Sequence, residues 1–224
     1  AVRSSATSED SGAYSFAGLH DTVLDIRTPA ALAAAVRACW ASLWSDRAVS
    51  YRRGTPLAEE PAEIAVVVQR LVRADVAFVV FTVDPVSGNR DHAVISANWG
   101  LGEAVVSGLS TPDHIVVDRD GSVLTYDVGA KEVMTVPGAT PTEGAREVPV
   151  PRLLRSMPVL SEVQATEIAA LARSLAQQLG YAADIEGGIA GGAIHLFQAR
   201  PITTLGAAMP RSAPAVDPHL PASR

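Results

Sequence analysis

Four polar side chains near the end of the sequence carry the strongest chemical signal: Asp184, Glu186, Gln198 and Arg200. They sit in or beside two short apolar runs, about 183–189 and 193–199, separated by Gly191-Gly192, the pattern of a β-hairpin. Residues two apart on a strand share a face. Asp184 and Glu186 therefore lie together, and so do Gln198 and Arg200. A three-residue turn centred on Gly192 sets Glu186 opposite Gln198 and Asp184 opposite Arg200, with Ile185, Phe197 and Ala199 on the other, apolar face. One sheet face then holds two carboxylates, an amide and a guanidinium. Hard oxygen ligands suit a divalent cation, and Arg suits a polyphosphate beside it. The plainer alternative is a solvated sheet face with a cross-strand Asp–Arg pair.

Near the start, Arg3-Ser4-Ser5-Ala6-Thr7 offers a second anion signal: an Arg followed by hydroxyls and free backbone N–H groups can clamp phosphate oxygens. A Ser-rich turn gives the same letters. Phe16-Ala17-Gly18 reads as a phosphate-covering loop or an ordinary turn. Gln69 ends an apolar run, where it meets an adenine edge or caps a sheet hydrogen bond. Gly100-Leu101-Gly102-Glu103 is a Gly-rich turn after a strand, but the dinucleotide fingerprint and the Lys-Ser/Thr of a P-loop are both missing. The five His are scattered without zinc or phosphohistidine spacing, and no G-x-S-x-G nucleophile elbow occurs.

The elements that must position these groups follow from periodicity. Asp21–Ile26 alternates as a strand. Thr28-Pro29 opens a helix as N-cap and first helical residue, running to about Tyr51 and stopped by Gly54-Thr55-Pro56. Leu32, Val36, Cys39, Trp40, Leu43 and Trp44 give it one apolar face. Ile64–Gln69 and Val76–Thr82 are β-branched or aromatic runs predicted to be strands buried on both faces. A turn at Asp84–Asn89, a strand at Ala93–Ala97, a short helix or turn at Glu103–Ser107 and a hairpin over His114–Asp127 follow. Val136–Pro151, rich in Pro, Gly, Thr and Glu, is predicted to be an exposed loop. Ser161 caps a helix that ends at Gly180, with Ile168, Leu171, Leu175 and Leu179 on its buried side. Strands without strict strand–helix alternation predict an α+β fold with mainly antiparallel sheet.

Composition narrows the function classes. The chain has 224 residues, 48% hydrophobic and 19% charged, enough apolar surface for a packed core. A net charge of −6 argues against a broad nucleic-acid or anionic-lipid footprint, so neither nucleic acid nor membrane is expected as a partner. Lys131 is the single Lys, so phosphate must be held by Arg or by backbone N–H groups. Cys39 is the only Cys, which excludes an intrachain disulfide and a cysteine metal site. There is no apolar run of the roughly 18 residues that span a bilayer and no apolar leader, and a cytoplasmic location is expected. The sequence opens without Met, which reads as a piece of something longer.

Taken together, Ala1–Asp10, Ser15-Phe16-Ala17-Gly18, Val68-Gln69-Arg70-Leu71-Val72, Phe81-Thr82-Val83-Asp84-Pro85, Asn98–Glu103 and Gln198-Ala199-Arg200-Pro201-Ile202-Thr203 resemble, in order, the ATP-binding domain of the phosphoenolpyruvate synthase / pyruvate phosphate dikinase family. The likeness covers about residues 1–205, and Asp84–Arg90 is most similar to the family's rifampicin-phosphorylating branch. It implies an ATP-grasp fold with an incomplete N-terminal lobe. Residues 1–62 would be the remainder of the first lobe, 63–205 the second lobe, and 206–224 a disordered tail or linker. It implies ATP and Mg²⁺ as cofactors. Arg3 and Arg200 resemble phosphate-contacting arginines and Gly18 and Thr22 residues of the closing loop. Gln69 matches a nucleotide contact, and Glu186 and Gln198 the metal and phosphate pair. Asp184 is an added metal candidate. The implied reaction splits ATP into AMP and phosphate. The β-phosphoryl passes through a histidine on a separate domain to an acceptor, rifampicin or pyruvate. That histidine domain, the acceptor domain and a family Lys ahead of Arg3 have no counterpart in this sequence, and Lys131 does not match. Gly187-Gly188 replaces a bulkier Trp-Ala. A truncated, non-catalytic nucleotide-binding or regulatory module remains the alternative, and a purely structural α+β domain is a third.

Overall fold

The computed structural model describes residues 1–6, 22–53 and 63–202. Its strands form three sheets, and every strand pair is antiparallel. The predicted α+β class, with antiparallel sheets and few helices, is what the structure contains.

The first sheet has the order β2-β1-β3, from β1 (Val2–Ala6), β2 (Thr22–Val23) and β3 (Ile64–Val68). Helix α1 (Pro29–Ser42) packs on it, capped by the Thr28 hydroxyl, which accepts from the Ala31 N–H at 3.2 Å. Val2, Ala35 and Cys39 are the buried centre of this contact, with Leu32 and Val36 around them. The predicted long helix is two helices. The chain turns at Leu43–Ser45 and resumes as α2 (Asp46–Arg53), with Ser45 supplying the new cap to Ala48. Trp40, on α1, is 52% exposed, and Trp44, in the turn, 70%. Of the predicted apolar residues at that end only Cys39 and Leu43 are buried, so the apolar face is narrower than the spacing suggests. Strand β3 is not buried on both faces either. It is a sheet edge, and Val67 and Val68 are exposed.

The second sheet is six-stranded, in the order β11-β10-β4-β5-β6-β7. Its strands are β4 (Val76–Phe81), β5 (Ala93–Trp99), β6 (Asp113–Val117), β7 (Val123–Asp127), β10 (Ala183–Ala190) and β11 (Ala193–Pro201). Two short helices, α3 (Glu103–Val106) and α4 (Arg152–Arg155), lie in its connections. The long helix α5 (Glu162–Leu179) covers one face through Ala165, Ile168, Ala169 and Ala172, against Phe78, Val80, Ile95, Ile115 and Ile185. Leu171 is 39% exposed, because small alanines rather than leucines form the close contact. The α5 N-terminus is a capping box: the Ser161 hydroxyl accepts from Gln164 N–H, and Gln164 Oε1 accepts from Ser161 N–H at 2.9 Å. Replacing Ser161 with Ala is expected to cost about 1 kcal/mol, read as a lower urea midpoint with an unchanged slope.

The predicted loop at 136–151 instead supplies much of a third, two-stranded sheet, β8 (Val133–Pro137) with β9 (Ala145–Pro149). Its Pro and Gly residues occupy the strand ends and the connecting turn, which is why the composition hid the strands. The Asn98 amide donates to Val133 O at 3.1 Å and fixes this hairpin to β5. From the other side, Asp25 and Arg27 clasp it. Gly138 N–H donates to Asp25 Oδ2 at 2.9 Å, and Arg27 Nη2 donates to Asp25 Oδ2 at 2.5 Å and to Gly138 O at 2.9 Å. The hairpin thus ties the residues around the first sheet to the second. No helix among the described residues is long and apolar enough to cross a membrane.

Candidate functional site

The face of the six-stranded sheet opposite α5 lines a groove of about 890 Å³, which the first sheet borders. Strand register fixes what points into it. Glu186 pairs with Gln198 on one side and Val79 on the other, and Val79 pairs with Ser96. One step along the strands, Asp184 pairs with Arg200 and Phe81. All of these residues line the groove.

The predicted cross-strand pairs are present, but a different device creates them. The turn has two residues, not three: Ala190 pairs with Ala193 across Gly191-Gly192, whose φ values of 56° and 81° are the left-handed pair that such tight hairpins require. That register alone would set Glu186 opposite Phe197. A β-bulge at Glu186/Gly187 leaves Phe197 without a partner and restores Glu186 to Gln198. The bulge also moves Phe197 off the core face, where the sequence placed it, and into the groove lining. The two glycines fit this arrangement. A Cβ on Gly187 would lie 2.4 Å from Phe78 Cζ, so a ring from β4 fills that space. A Cβ on Gly188 would lie 3.0 Å from Phe197 Cζ.

Arg3 enters from β1. Its Nη1 donates to Gln198 Oε1 at 2.5 Å, and its buried Nε has no partner among the described residues. Thr22 pairs with Arg3 in the first sheet and lines the same groove. Gln69 lies where β3 leads toward β4, and its Nε2 donates to Phe197 O at 3.4 Å. Seven of the eight residues singled out from the sequence (Arg3, Thr22, Gln69, Asp184, Glu186, Gln198 and Arg200) therefore line one cavity. Gly18 and the neighbouring Ser15-Phe16-Ala17 lie outside the described residues.

Among the described residues no three His, Cys, Asp or Glu side chains converge as a metal cage. Asp184 and Glu186 are two carboxylates on one face, and Asp184 Oδ1 is buried with no partner among the described residues. Such a pair suits Mg²⁺ carried in by phosphate oxygens, which typically supply the remaining ligands. Gln198 differs from its expected part as a metal ligand in one respect: its amide oxygen already accepts from Arg3.

Burial, then the charge of Glu186, push the Asp184 carboxyl up to about 6, against the pull of Arg200. Its unfolded value is 3.8, so folding favours the protonated form. The stability this contributes is complete below about pH 3.8 and is lost as pH rises through about 6. Asp184→Asn is therefore expected to raise stability at pH 7.5 by about 2 kcal/mol without nucleotide, and to flatten the pH dependence between pH 4 and 6. Equal pH slopes for both proteins in urea titrations would contradict this.

Glu103, at the start of α3, was not singled out from the sequence and joins the groove wall with Leu101, Gly102 and Val105. Burial and the charge of Glu147 raise its pKa. The Gly-x-Gly turn before it was the available signal. Arg47 and Arg70 also line the groove.

Comparison with known proteins gives a consistent relationship. The family profile described as pyruvate phosphate dikinase, AMP/ATP-binding domain matches residues 1–219. The chain is 43% identical over 205 residues to a rifampicin phosphotransferase of Streptomyces sviceus, covering 92% of this chain and 23% of that protein. It is 44% identical over 211 residues to a probable phosphoenolpyruvate synthase of Methanothermobacter thermautotrophicus, covering 93% and 30%. It is 40% identical over 207 residues to a prodigiosin synthesizing transferase of Serratia marcescens, covering 91% and 22%. The chain thus spans between a fifth and a third of the length of these relatives.

Proposed function

Because the chain belongs to the pyruvate phosphate dikinase AMP/ATP-binding domain family, we propose that it is the Mg-ATP-binding module of a dikinase-type phosphotransferase with an ATP-grasp architecture. The observation that carries this reading is the meeting of Arg3, from one sheet, with Asp184, Glu186, Gln198 and Arg200, from another, across a single cavity.

In this reading Arg3 and Arg200 hold phosphate oxygens and neutralise charge that builds on the transferring phosphoryl group. Gln198 holds Arg3 in place and meets the phosphates beside it. Asp184 and Glu186 would hold Mg²⁺, which would supply positive charge to polarise the phosphoryl oxygens. Thr22 borders the phosphates from the first sheet, and Gln69 contacts the nucleotide near the apolar end. Such a site needs positioning and electrostatics, with no covalent step on this chain's own residues. The β-phosphoryl goes to a histidine of a separate domain, water takes the γ-phosphoryl, and AMP and phosphate leave.

The relatives' names cite rifampicin, phosphoenolpyruvate and prodigiosin chemistry, while each shares this same segment. A shared ATP module with the acceptor chosen elsewhere accounts for that pattern. The test is product analysis with a relative's histidine domain supplied alongside. AMP and phosphate are the expected products. ADP as product would contradict the dikinase reading, and absence of turnover with Mg-ATP bound would favour the non-catalytic alternative.

A further inference from the structure

We propose that Phe197 is the surface on which the nucleotide's base stacks; this rests on the reading of the groove as an ATP site and adds the residue that selects for a base. Three observations carry it. First, polarity along the groove is graded. The Asp184–Arg200 row is charged, the Glu186–Gln198 row is charged and amide, and the next position on the same face of β10 is Gly188. About 13 Å of strand separates residue 184 from residue 188, at 3.3 Å per residue. Beyond Gly188 the lining is mainly apolar, with Ala74, Leu101 and Val105, and Glu103 is the carboxylate beside them, where an anionic phosphate tail would be repelled. A triphosphate belongs at the charged end, so the base is directed to the apolar one.

Second, among the described residues Phe197 is the only aromatic one lining that end. The bulge puts it there, since a regular ladder would return it to the core face. Third, Gly188 makes room for it. The ring tip lies 3.0 Å from where a Cβ would stand, so the ring lies low over β10 instead of filling the groove. Ala74, whose Cβ is 2.8 Å from the same point, borders the other side. Gln69 donates to the Phe197 carbonyl and steadies the bulged backbone. An aromatic face beside small residues suits a flat heteroaromatic ring, and stacking on it depends little on the base's hydrogen-bonding edge.

The experiment compares Mg-ATP with Mg-tripolyphosphate as titrants of the wild-type chain, Phe197→Ala, Phe197→Tyr and Phe197→Trp. Phe197→Ala is expected to weaken Mg-ATP binding roughly ten- to a hundred-fold while leaving tripolyphosphate within about two-fold. Phe197→Tyr keeps wild-type affinity. Phe197→Trp gains fluorescence that ATP quenches and tripolyphosphate does not, a readout that does not depend on the truncation being tolerated. Equal affinities of wild type and Phe197→Ala for ATP, or equal losses for both titrants, would overturn the stacking role while leaving the ATP site standing. Failure of the folded wild-type chain to bind either titrant would overturn both.

Discussion

Arg3→Ala is expected to slow phosphoryl transfer from ATP by two to three orders of magnitude, an increase of about 2.7–4 kcal/mol in the barrier. Arg3 reaches the groove from a different sheet than every other charged member of the constellation, so it closes the site as well as contributing charge. Its Nη1 is occupied by Gln198, while its Nε is buried and has no partner among the described residues. A buried donor on a cation is costly unless an anion completes it, and a phosphate oxygen would do so. Arg3→Lys is expected to recover only part of the rate, because an ammonium cannot hold Gln198 and phosphate with one rigid fork. Single-turnover AMP formation, with the histidine domain present and saturating ATP, measures the effect. A rate within about three-fold of wild type would remove Arg3 from the phosphate site.

The largest stability effect is expected at Asp113, away from the groove floor. Lys131 is fully buried and its ammonium donates to Asp113, itself fully buried. Asp113 also accepts from Gly129 N–H at 2.9 Å, Val159 N–H at 2.7 Å and Tyr126 Oη at 3.2 Å. One carboxylate therefore joins β6, the turn after β7, and the segment leading into α5. Asp113→Ala strands the only Lys in the interior and leaves the Gly129 and Val159 N–H groups unmet, while the Tyr126 hydroxyl keeps Leu160 O at 2.9 Å. A loss of about 3–5 kcal/mol is expected. At this chain length that lowers Tm by roughly 6–20 °C. Lys131→Met is expected to cost less, since the carboxylate keeps its other donors and the methionine keeps the apolar stem. Thermal denaturation of the two variants decides it, and equal losses would contradict the central part given to Asp113. The burial of Tyr126 in this network pushes its hydroxyl up to about 12, so it remains a donor throughout the neutral range.

How much was legible in the sequence depended on whether the signal was local. The period-two rule put Asp184 with Glu186 and Gln198 with Arg200, because alternation along a strand needs no knowledge of the rest of the fold. The cross-strand register was obtained correctly from a turn one residue too long. The missing residue is the bulge at Phe197, which no letter announces and which only packing over Gly188 accounts for. Likewise Trp40 and Trp44 keep helical spacing with Cys39 and Leu43, yet the narrow contact on a three-stranded sheet leaves both outside it. The β8–β9 hairpin was hidden by its Pro and Gly content, and its place is set by partners over a hundred residues away, as with Asp25 and Gly138. Glu103 was passed over because a Gly-rich turn without its phosphate fingerprint says little until the wall of a groove stands behind it.

Calorimetric titration of Mg-ATP into this chain, beside the same titration with EDTA in place of Mg²⁺ and with Glu186→Ala, decides whether the groove is a cation-dependent nucleotide site. Saturable binding is expected that needs the divalent cation and falls at least ten-fold in Glu186→Ala. Heats absent from a demonstrably folded wild-type chain, or binding indifferent to both Mg²⁺ and Glu186, would contradict that assignment.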